Sequence, residues 1–335
     1  MQLRRLGNTD LHVTEISFGC AGIGNLYRRV TREDAEATLA IAWDAGIRYF
    51  DTAPFYGHGL SERRAGDFLR QNPRHSYVLS TKVGRLLIPV NEANLPFHGY
   101  CDPLPFAIDY DYSYDGIMRS FEASLQRLGL NSIDILYVHD IGTLTHGTER
   151  NNAHMKALVG GGLKALQQLK SEGMVKAFGI GVNEVACCLD IMDHARLDVI
   201  LLAGRYTLLD RSAESGLLKR CRAEQTALVI GGVFNSGILA TGPGPGAHFD
   251  YEPAKPDIQA RVQAMSEACH RQNVPLAAAS LRFALNEPLV ASVLIGTAKP
   301  ASLRRNLDLP TSEIPEALWP ELERHAFGAN GARIT

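Results

Sequence analysis

No stretch of the 335 residues approaches the roughly 20 consecutive apolar positions that a bilayer-crossing helix needs. The opening Met1–Asp10 segment also lacks the apolar heart of a secretion signal. There is no surplus of either charge: 34 Lys and Arg stand against 36 Asp and Glu, for a formal net charge of -2. Such a balance gives no basic footprint for nucleic acid or an anionic membrane surface. The six cysteines (Cys20, Cys101, Cys187, Cys188, Cys221, Cys269) form no CxxC pair and no disulfide framework, so reduced thiols in a cytoplasmic protein are expected. A dinucleotide fingerprint of the doubly wound type is missing too. Gly19-Cys20-Ala21-Gly22-Ile23-Gly24 has the wrong glycine spacing, and Gly160-Gly161-Gly162 reads as following a loop rather than a strand.

What is present is an alternation. After a short hairpin turning at Gly7-Asn8, strand-like runs are expected at 16–19, at 47–51, at 77–82, at 133–139, at 175–181, at 199–202, at 227–233 and at 291–295. Helical patterns separate them; Thr31-Arg32-Glu33-Asp34 reads as an N-terminal cap before the first. With no compositional break, residues 1–335 are expected to form a single α/β domain, a closed (β/α)8 TIM barrel with an N-terminal β-hairpin. Two long loops, at 84–112 and 240–256, are expected on its C-terminal face. The first reads as irregular, with aromatics (Phe97, Tyr100, Phe106, Tyr110, Tyr112) suited to covering an apolar pocket.

Four polar side chains fall at or just past strand ends: Asp51, Tyr56, Lys82 and His139. In a parallel barrel those ends converge on the face where chemistry is done. A phenol is a poor base near neutral pH, and a neighbouring ammonium favours its ionised form. Lys82 is therefore expected to lower the Tyr56 pKa, with Asp51 as the counter-ion of Lys82. His139 is expected to hydrogen-bond the substrate oxygen. Taken one at a time, each residue has a structural reading: Asp51 as a turn cap, Tyr56 as packing, Lys82 as a solvated charge, His139-Asp140 as a structural pair. Their coincidence favours a proton-transfer site.

The segments 46–57 (GIRYFDTAPFYG), 80–82 (STK) and 125–139 (LQRLGLNSIDILYVH) resemble the aldo-keto reductase family. Residues 111–120 and 179–184 are similar to its L-fucose or D-threo-aldose 1-dehydrogenase and pyridoxal 4-dehydrogenase subgroup. The resemblance implies hydride transfer between a substrate carbon and a nicotinamide, NAD or NADP, without a metal. It implies Tyr56 as acid or base, tuned by Lys82 and Asp51, with His139 orienting the oxygen. It also implies cofactor contacts at Gly22, Asp51, Asn183, Phe234, Ser236, Gly237 and Leu239, and, toward the adenine, at Gly296, Thr297, Lys299, Arg305 and Asn306.

The match has gaps. Ala203 stands where relatives carry a Gln, and Gly231 where many carry a stacking aromatic. Gly296 and Ser302 replace the Lys and Arg with which NADP-preferring relatives hold a 2′-phosphate, so the resemblance favours NAD. The implied activity is oxidation of a sugar hemiacetal, or of pyridoxal, to a lactone. The rivals are an NADPH-dependent carbonyl reductase, a cofactor-binding regulatory subunit with little turnover, and a metal-dependent hydrolase. The expected partner is a small-molecule substrate, and the expected assembly a monomer or small homo-oligomer.

Overall fold

In the computed structural model, which describes residues 1–328, eight parallel strands close into a barrel in sequence order. They are β1 (Ile16–Gly19), β2 (Tyr49–Asp51), β3 (Val78–Val83), β4 (Ile135–His139), β5 (Ala177–Val182), β6 (Val199–Ala203), β7 (Ala227–Gly231) and β8 (Val290–Ile295). The helices between them include α1 (Arg32–Asp44), α2 (Leu60–Leu69), α3 (Tyr114–Leu128), α4 (Thr143–Ala157), α5 (Leu163–Ser171) and α6 (Val185–Met192). Thr31 caps α1, its hydroxyl accepting from Asp34 N at 3.0 Å.

The period-two alternation of each strand sorts its side chains between two cores. Phe50, Leu79, Leu136, Val138, Ile180, Ile200 and Ile230 point outward and pack under the helices. Tyr49, Tyr137, Val199, Leu201 and Val229 point inward and fill the barrel. Leu6, Leu11 and Val13 join the inner cluster, so the N-terminal hairpin (Leu3–Arg5 paired with His12–Thr14) stoppers the bottom. Burial of this apolar surface is what stabilises the closed shape. It also leaves the top layer of inward positions free for polar groups.

Two expectations need correction. The 84–112 stretch is not irregular throughout. Arg85–Pro89 pairs antiparallel with Phe106–Tyr110, from Arg85 opposite Tyr110 to Pro89 opposite Phe106. The apolar runs are short and bracketed by prolines, which hides them in the sequence. Gly160-Gly161-Gly162 does not follow a loop either: α4, a π-helical turn (Leu158–Gly162) and α5 run on without interruption. A Cβ on Gly162 would lie 2.3 Å from Tyr112 O, so glycine there permits close passage of the neighbouring backbone. Gly147, at φ 67, kinks α4 and breaks the periodicity that would have announced it.

Candidate active site

β2, β3 and β4 are hydrogen-bonded neighbours, with Asp51 opposite Ser80 and Lys82 opposite Tyr137. Asp51 and Lys82 therefore reach the same inward-facing top layer. Lys82 Nζ donates to Asp51 Oδ2 at 2.6 Å and to Thr52 O at 2.9 Å. The other carboxylate oxygen of Asp51 accepts from Ser80 Oγ at 2.7 Å. Since Ser80 has spent its only proton there, it accepts from Tyr49, whose hydroxyl lies 3.1 Å away. Tyr49 in turn accepts from Tyr137 at 2.9 Å. A directed chain of hydroxyls thus supports Asp51 from inside the barrel.

Tyr56 is presented by the turn that follows β2. Gly57 adopts φ +63, and a Cβ on it would meet Gly24 O at 2.3 Å, so glycine is required to bring the two turns together. The Lys82 ammonium lies 4.7 Å from the centre of the Tyr56 ring, and the His139 ring stands edge-on to it at 5.9 Å. The expected lowering of the Tyr56 pKa is not what this geometry gives. Burial, then the charge of Asp51, push the phenol well above its usual value. Lys82 is neutralised by the carboxylate it touches, so it presents little net field to the phenol. Burial, followed by the charges of Arg85 and Lys82, holds His139 well below the usual imidazole range. At neutral pH the pair rests as a protonated phenol and a neutral imidazole, so Tyr56 stands ready as an acid and has to lose its own proton before it serves as a base.

All three of Tyr56, Lys82 and His139 line a cleft of about 630 Å³. Phe55 and Tyr100 wall one side. Asn183, Arg205 and Tyr251 stand on another. Three neighbouring strand ends carry almost no side chain: Gly181, Ala203 and Gly231. A Cβ on Gly181 would lie 3.5 Å from Lys82 Cε, space that a flat heteroaromatic ring can use instead. The bare floor, the aromatic wall and the Asn183 amide together fit a nicotinamide.

A sequence profile of the Aldo/keto reductase family matches residues 15–326. The chain belongs to that family. It is 46% identical over 329 residues to pyridoxal 4-dehydrogenase of Microbacterium luteolum, covering 95% of this chain and 96% of the relative. It is 39% identical over 320 residues to D-threo-aldose 1-dehydrogenase of a Pseudomonas species, covering 93% and 94%. Among solved structures, glycerol dehydrogenase of Gluconobacter oxydans superposes with a TM-score of 0.75 at 22% identity, covering 96% of this chain and 95% of that one. An aldo-keto reductase of Bacillus halodurans gives 0.74 at 23%, covering 97% and 96%. These two likenesses show the shared barrel.

For this aldo-keto reductase the remaining expected cofactor positions are spread over the barrel top. Asn183 lines the cleft, donating to Tyr251 Oη at 3.4 Å while its carbonyl accepts from Arg205 Nε at 2.8 Å. Gly22 packs its Cα against the loop after β8, where a Cβ would meet Ala298 N at 3.0 Å. Phe234 is half-buried between the outer core and a separate apolar cluster that includes Leu239, Ile258 and Val262. Its carbonyl accepts from the amides of Gly237 (2.9 Å) and Leu239 (3.1 Å), and the Leu239 side chain is fully buried. Ser236 sits exposed at the tip of this turn, at φ 57, its hydroxyl accepting from Tyr251 N at 2.9 Å. Gly296, Lys299 and Arg305 are exposed, Thr297 and Asn306 half-buried. Thr297 Oγ1 accepts from Lys299 N at 3.1 Å, and Arg305 donates to Ser302 Oγ at 3.3 Å.

Several site residues escaped the sequence reading. Arg205 grips Asp250 with two parallel bonds of 2.8 Å and also donates to Asp210 at 3.2 Å, tying the 242–256 loop to the end of β6. Tyr251 then leans over the cleft. Asp140 and Arg85 form a second ion pair, through one guanidinium nitrogen and one carboxylate oxygen. Of the aromatics expected to cover the pocket, Tyr100 does line it, Phe97 is 84% exposed, and Tyr112 is buried, donating to His139 O at 2.8 Å.

Proposed function

We propose that this aldo-keto reductase is an NAD-dependent dehydrogenase oxidising the cyclic hemiacetal of an aldose, or of pyridoxal, to its lactone. The observation that carries the reading is the convergence of Tyr56, Lys82 and His139 on one polar-rimmed cleft, with Asp51 paired to Lys82 behind it, in a chain whose nearer relatives act on pyridoxal and on D-threo-aldoses. When bound, an oxidised nicotinamide supplies the hydride acceptor. The chain itself handles the proton and the orientation. His139, neutral in its buried seat, holds the hemiacetal oxygen; Tyr56 must first release its own proton to solvent, and the phenolate oxygen then receives the hemiacetal proton as the carbon is oxidised. Lys82 fixes the phenol ring from below, and Asp51 keeps Lys82 in place. In the reverse direction the protonated Tyr56 acts as the acid.

NAD is favoured because, among the described residues, the expected adenine end carries no dedicated phosphate clamp. Gly296 and Ser302 supply no cation, while Lys299 and Arg305 are exposed side chains at the start and in the body of a surface helix (Pro300–Asp308). A panel of aldoses plus pyridoxal, assayed with both nicotinamides, tests the reading. Lactone formation with a lower KM for NAD is the expected result. NADPH-driven reduction of simple aldehydes alone would overturn it.

A further inference from the structure

We propose that Asp140 is a specificity-determining residue that binds a hydroxyl flanking the reacting carbon of the substrate, with Arg85 as the positioning residue that aims it. The assignment deepens the dehydrogenase reading and rests on it. Asp140 directly follows His139 at the top of β4 and lines the same cleft as Tyr56 and Lys82. Its backbone is left-handed, at φ 43, a conformation that aspartate tolerates better than most residues. Its amide donates to Gly181 O at 2.9 Å, which anchors the turn to the neighbouring strand. This geometry folds the carboxylate back beside the imidazole, with Oδ2 3.4 Å from His139 Nε2.

Arg85 holds that same oxygen. Its side chain is 3% exposed, its guanidinium carbon sits over the Phe55 ring at 4.0 Å, and it has Asp140 as its salt-bridge partner. Nε and one terminal nitrogen of Arg85 are buried without a hydrogen-bond partner. A buried guanidinium with so few partners is expensive to keep. Keeping it for stability alone would be a poor arrangement, whereas holding a carboxylate rigidly against the cleft is a use for it. The second oxygen, Oδ1, receives no hydrogen bond among the described residues, so it retains full accepting capacity. Vicinal oxygens of a sugar are separated by about one hydrogen-bond length. A substrate whose reacting oxygen is held by His139 therefore brings the neighbouring hydroxyl to Asp140. An aldehyde without that hydroxyl leaves Oδ1 of Asp140 desolvated and without a donor, which a polar site penalises far more than a missing methylene.

The test compares substrate pairs that differ in that hydroxyl alone: an aldose with its 2-deoxy counterpart in oxidation, and 2-hydroxypropanal with propanal in reduction. Wild-type enzyme is expected to favour the hydroxylated member by about ten-fold or more in kcat/KM. In Asp140→Asn that ratio is expected to collapse, mainly through KM of the hydroxylated member. Arg85→Met should collapse it as well, and Arg85→Lys should recover part of it. No preference in the wild type, or an equal loss on both members in Asp140→Asn, overturns the proposal. If Asp140→Asn does not fold, the wild-type ratios still decide. A 2-hydroxypropanal preference without any aldose oxidation would sink the dehydrogenase reading while upholding hydroxyl recognition; aldose oxidation indifferent to the 2-hydroxyl would do the opposite.

Discussion

Lys82 Nζ and Asp51 Oδ2 lie 2.6 Å apart, with each side chain only 2% exposed. Charges so buried are tolerable only as a pair, because removing one strands the other in a medium that solvates it badly. Lys82→Met is therefore expected to lower unfolding free energy by about 3–5 kcal/mol, and Asp51→Asn added to it should return part of the loss. Chemical denaturation of the two single variants and the double variant measures this. A double variant as weak as the sum of the singles would contradict the coupling.

Tyr56 carries the transferable proton in the proposed reaction, and the phenylalanine ring can fill its place between Lys82 and His139. Tyr56→Phe should cut turnover by about 10²–10⁴-fold, the usual worth of a positioned acid or base. Cofactor affinity, followed by fluorescence quenching, should hold. Loss of cofactor binding in a folded protein would assign Tyr56 to positioning instead.

pH acts on the fold from both ends. Burial holds His58, His98, His139 and His146 below the usual imidazole range, His146 at about 4. In the unfolded chain histidine takes up its proton near pH 6.5, so below that pH the unfolded state binds more protons and stability falls toward about pH 4. The raised carboxyls of Asp51, Asp140 and Asp210 oppose this, since the folded state then holds their protons more tightly. Subtracting the urea midpoints of His146→Gln from those of the wild type isolates one imidazole: that difference should fall as the pH is lowered from 6.5 to 4. Above about pH 10 unfolded tyrosines ionise while Tyr49, Tyr100, Tyr112 and Tyr137 stay protonated, so midpoints should fall again.

The two parallel bonds from Arg205 to Asp250 fix the loop that carries Tyr251. Arg205→Met should free that loop while leaving the barrel strands paired. Limited proteolysis is expected to cut within 242–256 several times faster than in the wild type. Unchanged cleavage would mean that Ser236 and the short strand pair His248–Phe249 with Glu252–Pro253 suffice to hold it.

The barrel and the convergence of Asp51, Tyr56, Lys82 and His139 were legible because strand periodicity is local, and reactive side chains at strand ends need no partner to be noticed. Asp140 stood in view beside His139, but its meaning depends on Arg85, 55 residues away along the chain. Arg205 and Asp250 are 45 apart. Such pairings are set by how loops cross the barrel mouth, which no local pattern encodes. The Tyr56 pKa went the other way for a related reason. Spacing revealed an ammonium nearby, but the desolvation around the phenol and the nearness of Asp51 belong to the packed state.

The paired arms Arg85–Pro89 and Phe106–Tyr110 stand apart from the barrel, and the stretch between them brings His98 and Tyr100 to the cleft, pinned by the bridge from Leu26 to Tyr100. Because pleated chain turns its side chains over at every step, a single-residue insertion in one arm would exchange the faces of all that follows, whereas two-residue changes would preserve them. New substrates could thus be accommodated by lengthening or trimming this arm in even steps, leaving the reactive centre beneath it unaltered.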